Sequence, residues 1–131
     1  MPLSSLFENA DLIHVYSRAQ AIADGGLIDV SATAREAGWR VPVAVTAAVW
    51  GDCVHWDQFQ PVYQDEQGRL WDVLTMALFA ARGRRGSNRV LFTVLRIPRG
   101  GQLPEPVRLA IEIGPGDVGE PVITIMQPEE D

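Results

Sequence analysis

The clearest pattern in the chain lies over residues 70–82. Leu70, Val73, Leu74, Ala77, Leu78 and Ala81 recur at i, i+3, i+4 and i+7, the spacing of one face of an α-helix. Trp71 and Phe79 add apolar bulk to the other sides, so the pattern predicts a central core helix, stopped by Gly83. The last third changes period. Residues 89–97, 107–113 and 121–126 are β-branched runs separated by Gly- and Pro-containing turns at 98–101 and 114–117. In the second run Val107, Leu109, Ile111 and Ile113 alternate with Arg108, Ala110 and Glu112, the mark of a half-buried strand. The first run is apolar on both faces, as a central strand would be. Short connections between sequential strands favour an antiparallel meander.

The first half is punctuated rather than periodic. Residues 12–16 form an apolar run that reads as a strand or the start of a helix. Ser17 then has the chemistry of an N-cap for a short helix over 18–24, and Gly25-Gly26 stops it. Residues 27–30 are β-type. Ser31 or Thr33 can cap a second helix through Ala37, ended by Gly38. Over 43–56 the signals conflict. Val41 to Val45 reads as strand, but Val45, Ala48, Val49 and Cys53 share a helical face, and a helix is expected. Residues 58–69 are polar and turn-rich, a loop or small hairpin. The expected architecture is α+β in one domain, residues 1–131: N-terminal helices packed on a C-terminal, mostly antiparallel sheet of three to four strands.

Composition narrows the function more than the fold. A chain of 131 residues with 47% apolar and 21% charged residues is an ordinary single globular domain. The net charge of −6 repels nucleic acid and anionic membranes, so neither is an expected partner. All eleven basic residues are Arg, so any carboxylate contact can be planar and bidentate. A single cysteine, Cys53, excludes an internal disulfide and fits a reducing compartment. No signal peptide or membrane span is visible, and a cytoplasmic location is expected.

Two clusters carry candidate chemistry. The first is Trp50-Gly51-Asp52-Cys53-Val54-His55-Trp56. On a helix Asp52 and Trp56 would be neighbours, whereas Cys53 and His55, two apart, would not meet as a nucleophile and base. Cys53 is therefore expected to be structural. Trp50 and Trp56, beside Asp52 and Asp57, are the candidate interaction residues, because exposed Trp anchors interfaces. The second cluster is His14, Tyr16 and Arg18, with Asp29 beyond the Gly25-Gly26 turn. These are the candidate catalytic residues. The segment resembles the opening of NAD-binding ADP-ribosyltransferases, a strand carrying His or Arg before a helix ending in Gly-Leu. The catalytic Glu of those enzymes has no matching motif, Glu112 and Glu120 being positional counterparts only. His14, His55 and Cys53 do not stand at metal-binding spacings, and no metal or cofactor is expected. The glycines of 114–119 lack the Lys-Ser/Thr of a phosphate loop. Residues 82–86 form a short basic, flexible stretch that reads as a solvated helix end.

Several segments taken together resemble a small family of uncharacterised bacterial proteins. They are residues 13–22, 27–31, 34–38, 46–50, 68–74 and 113–117. The resemblance spans nearly the whole chain and implies carriage on plasmids and phages near antirestriction genes. It transfers no functional residues. Its implication is a protein-binding inhibitor of a host defence system, of the anti-CRISPR or antirestriction type. The alternatives are a small enzyme using the His14, Tyr16 and Arg18 group, or a non-catalytic accessory of plasmid maintenance, with a homodimer through a strand edge as a further possibility.

Overall fold

The computed structural model describes residues 16–84 and 86–130. Helix α1 (Arg18–Asp24) starts at Ser17, whose hydroxyl accepts from the Gln20 amide while the Gln20 side chain accepts from the Ser17 amide, a reciprocal capping box. It ends at Gly25, which takes the left-handed conformation at φ 84°. Strand β1 (Leu27–Asp29) and helix α2 (Ser31–Ala37) follow. Gly38, at φ 116°, closes α2, a backbone state that L-residues with a Cβ rarely adopt.

Residues 43–56 correct the expectation of a helix. Val43–Thr46 is strand β2, with all four residues buried. The Thr46 hydroxyl accepts from the Val49 amide and starts a short helical turn, α3 (Ala47–Val49). That turn widens into a π-helical turn, Trp50–Val54. The helical spacing was real, but it begins only after Thr46. Strand β2 forms because it pairs with β1 on one side and on the other with β5, whose register partners lie 80 residues downstream and outweigh local helix propensity. Helix α4 (Glu66–Gly83) is capped by Asp65. The strands β3 (Arg89–Arg96), β4 (Glu105–Pro115) and β5 (Pro121–Met126) complete the chain.

The sheet has five strands in the order β1-β2-β5-β4-β3, not three or four. Strand β1 falls in the β-type run 27–30, whereas β2 adds a strand where a helix is expected. All pairs are antiparallel except β2 with β5. Strand β3 lies at the edge, not the centre. Its second apolar row, Leu91 and Leu95, faces solvent. One face of the sheet carries the core: Val43 and Val45 of β2, Val90, Phe92 and Val94 of β3, and Leu109, Ile111, Ile123 and Ile125 pack with Leu70, Val73, Leu74 and Ala77 of α4. Helix α4 is therefore buried along one stripe only. Trp71, Met76 and Phe79 point away from the core, so the expectation of burial on nearly all sides does not hold. No helix among the described residues is long and apolar enough to cross a membrane.

Candidate functional site

The segment from Trp50 to Glu66 wraps the N-terminal end of α4, and Arg69 of that helix organises it. Arg69 is only 4% exposed. Its Nε donates to the Val54 carbonyl at 3.0 Å and its Nη1 to the Ile97 carbonyl at 2.8 Å. Nη1 also reaches Gln64 Oε1 at 3.5 Å, and Nη2 the Asp52 carbonyl at 3.4 Å. Its guanidinium stacks on Trp56, 4.6 Å from the ring centroid, a cation–π contact. One side chain thus joins the π-turn, the loop after it and the end of β3. Burial lowers the Arg69 pKa, although a guanidinium stays charged in any protein environment.

Around this centre the sequence candidates take definite places. Trp56 is buried, 8% exposed, and its indole N–H donates to the Val62 carbonyl at 2.9 Å. Trp50 is partly buried and packs against the core. Both carboxylate oxygens of Asp52 accept from Arg96 Nη2, at 3.0 and 3.2 Å. Asp57 accepts from the Phe59 amide and the Gln60 side chain, and these bonds lower its pKa. The patch of Trp50 and Trp56 beside Asp52 and Asp57 is therefore mostly turned inward. The reason is backbone geometry: the π-turn ends at Val54 and His55 is extended, so Asp52 and Trp56 are not helical neighbours. Cys53 is buried, and burial pushes its thiol up to about 12. His55 does not meet it; His55 Nδ1 lies 2.8 Å from Glu66 Oε2. That same Glu66 oxygen accepts from the Trp56 amide, which with His55 lowers the Glu66 pKa.

In the second cluster, His14 lies outside the described residues. Tyr16 is exposed and its hydroxyl bonds the Asp24 carboxylate, which raises its pKa. Arg18 donates to Thr124 Oγ1 and the Ile123 carbonyl, both at 2.7 Å. Asp29 accepts from the Ser31 amide and hydroxyl just before α2, whose N-cap is Val30 with no side-chain bond, not Ser31 or Thr33. Tyr16 and Arg18 line one wide, open groove with Gln20, Leu27 and the turn at Pro115 to Asp117, and Asp29 is not on its wall. Tyr16 and Asp29 make only local contacts, and Arg18 is the described member of the cluster that reaches β5. Among the described residues no group of three or more His, Cys, Asp or Glu could hold a metal ion.

The comparison with protein families places the chain. The model of DUF6573, a family of unknown function, matches residues 3–131. The chain belongs to that family. No curated protein and no solved structure matches it.

In this DUF6573 chain the most exposed aromatic surface lies on the outer side of α4 and the loop before it. Trp71 is 40% exposed, Phe79 78% and Tyr63 87%, with Met76 also open to solvent. Trp71, Thr75 and Phe79 follow each other at four-residue spacing and so form one stripe. Tyr63 and Trp71 share a shallow depression with Asp65 and Asp72. The apolar excess of residues 70–82 is visible in the sequence, but patterning reads it as burial on all sides and not as an exposed stripe. The signal for Arg69 is its four-residue spacing from Val73 and Ala77, which puts an Arg on the core stripe of α4.

Proposed function

We propose that this chain is a non-catalytic protein-binding accessory that docks on a partner through the outer face of α4 and Tyr63. The observation that carries the reading is the solvent-facing stripe of Trp71, Phe79 and Met76 beside Tyr63. Single exposed apolar residues are common on any surface, but large aromatics gathered on one helix face are the chemistry of interface anchors. Asp65 and Asp72 border the stripe, and the chain carries a net charge of −6. A partner with an apolar slot ringed by Arg or Lys is the complement. Nucleic-acid-binding enzymes present such basic faces. The finer reading is a mobile-element protein that blocks a host defence nuclease. It rests on that charge complement and on the plasmid and phage context implied by the sequence resemblance.

The test is affinity capture from a host lysate with the wild-type chain and a Trp71→Ser/Phe79→Ser variant, both verified as folded by circular dichroism. Truncating an interface anchor costs about 2 kcal/mol, roughly 30-fold in Kd, so the variant should lose a partner that the wild type retains in stoichiometric amount. Expression of the wild type, and not of the variant, should protect incoming phage DNA from restriction. A partner retained equally by both proteins, or no partner at all, would refute the reading.

A further inference from the structure

The two edges of the sheet are built differently. Strand β1, at one end, is three residues long. Strand β3, at the other, runs eight residues, Arg89–Arg96. Edge strands of soluble proteins are kept from pairing by shortness, proline, bulges or charge. Shortness protects β1. Between Val90 and Leu95, β3 has no proline and no charged side chain, and its one-to-one register with β4 is unbroken. The arginines at its two ends are already engaged, Arg89 with Glu112 and Arg96 with Asp52.

The register fixes which backbone groups of β3 are unpaired. The Ile113 amide donates to the Asn88 carbonyl at 2.8 Å, and bonded and non-bonded pairs alternate along an antiparallel ladder. Val90, Phe92 and Val94 therefore exchange their bonds with Ile111, Leu109 and Val107 of β4. Leu91, Thr93 and Leu95 turn their N–H and C=O groups outward. Just beyond them, Arg69 bonds the Ile97 carbonyl and closes the open stretch. Side chains alternate in the same way. Leu91 and Leu95 are 46% and 62% exposed, with Thr93 exposed between them, on the face away from α4.

The open edge thus offers a strand's backbone groups and an apolar row together, and its complement is another strand. The same sequence supplies one. About a two-fold axis through Thr93, an antiparallel copy sets Thr93 against Thr93 and Leu91 against Leu95, and their outward groups match. Leucine then packs on leucine and threonine on threonine, which are favourable cross-strand pairs. No charge opposes a like charge, because Arg89 and Arg96 lie outside the paired stretch. A second copy has this match by symmetry. We propose that the chain forms a two-fold dimer through β3, joining two five-stranded sheets into one. The edge is no part of the aromatic stripe, so the dimer stands whether or not the stripe binds another protein.

The test is sedimentation equilibrium of the full chain over a concentration series reaching the millimolar range. The mass should rise with concentration from one chain to two. Thr93→Lys sets two ammonium groups directly opposite each other, and Thr93→Pro removes an outward N–H without touching the ladder to β4. Each should weaken the dimer about tenfold or more in a protein that still melts cooperatively. Thr93→Cys should form an intermolecular disulfide on mild oxidation, since paired strands bring the two positions to about 5.5 Å, whereas Val118→Cys, also exposed, should not. Cys53 is buried and stays out of this reaction. A mass of one chain at every concentration would overturn the proposal, and that is the result expected if the edge serves a strand of a different protein. A dimer left intact by both Thr93→Lys and Thr93→Pro would overturn it too, as would equal crosslinking at 93 and 118. The wild-type mass and the Thr93→Cys crosslink decide the matter even if the other variants fail to fold.

Discussion

Replacing Arg69 by Met removes the group that joins three segments, and the structure sets the expected cost. Two of its bonds are well formed, to the carbonyls of Val54 at 3.0 Å and Ile97 at 2.8 Å. Leaving a buried carbonyl without a donor costs about 1–3 kcal/mol; with the buried Val54 carbonyl at the upper end and the part-buried Ile97 carbonyl at the lower, the two together cost about 4 kcal/mol. Loss of the stack on Trp56 adds about 1 kcal/mol. Against this, a buried cation is no longer desolvated and Met fills part of the space, which offsets about 2 kcal/mol. The net expectation is a loss of about 3 kcal/mol, a large part of the stability of a domain this size, about 5–15 kcal/mol. Arg69→Lys retains the charge but offers one ammonium in place of a fork, and should lose about half as much. Urea unfolding followed by tryptophan fluorescence measures both variants. With an m-value of about 2 kcal/mol/M, the Met variant should shift its midpoint down by about 1.5 M. A loss below about 1 kcal/mol for Arg69→Met would refute the view that this side chain holds the segment together.

Two further outcomes follow from the same segment. Cys53 is buried with its thiol pushed up to about 12 by burial, so iodoacetamide should label it only at the rate of global unfolding; fast labelling of the native protein would contradict the burial. The Glu66 carboxyl has a lowered pKa in the fold, through the Trp56 amide first and His55 after it. A group lowered on folding adds stability above its unfolded pKa and loses it as pH falls through the folded one. Glu66→Gln should therefore be less stable than the wild type at neutral pH, the two converging below the ordinary carboxylate range. A gap that persists unchanged into acid would show that Glu66 contributes by packing instead.

How much of this was legible in the sequence depends on how local each cause is. Helix α1 with its Ser17 and Gly25 caps, α2 with Gly38, and the alternating strand β4 rest on neighbours a few residues apart, and each appears near its expected place. Strand β2 looks helical in sequence because Ala47, Ala48 and Val49 do form a helical turn just after it, while its pairing with β5 is written nowhere nearby. Strand β3 looked central because Leu91 and Leu95 are apolar, yet it is an edge strand whose second row faces solvent. Exposed apolar rows of this kind are invisible to patterning, which treats hydrophobic as buried. The candidate site shows the same limit twice. Trp56, a candidate interface anchor by residue type, is buried beneath Arg69, and Trp71 and Phe79, which the apolar pattern puts in the core, are exposed. Residue type misplaced all of them, because tertiary geometry decided which aromatics the core had room for.

The most direct test of the binding account is site-specific photo-crosslinking in the host cell. A photoreactive phenylalanine analogue is placed in turn at Tyr63, Phe79 and Val118, three exposed positions of which only the first two belong to the proposed surface. The account predicts that positions 63 and 79 yield an adduct with the same partner protein and that position 118, in the turn between β4 and β5, yields none. Adducts from position 118 alone, or none from either aromatic position, would contradict it.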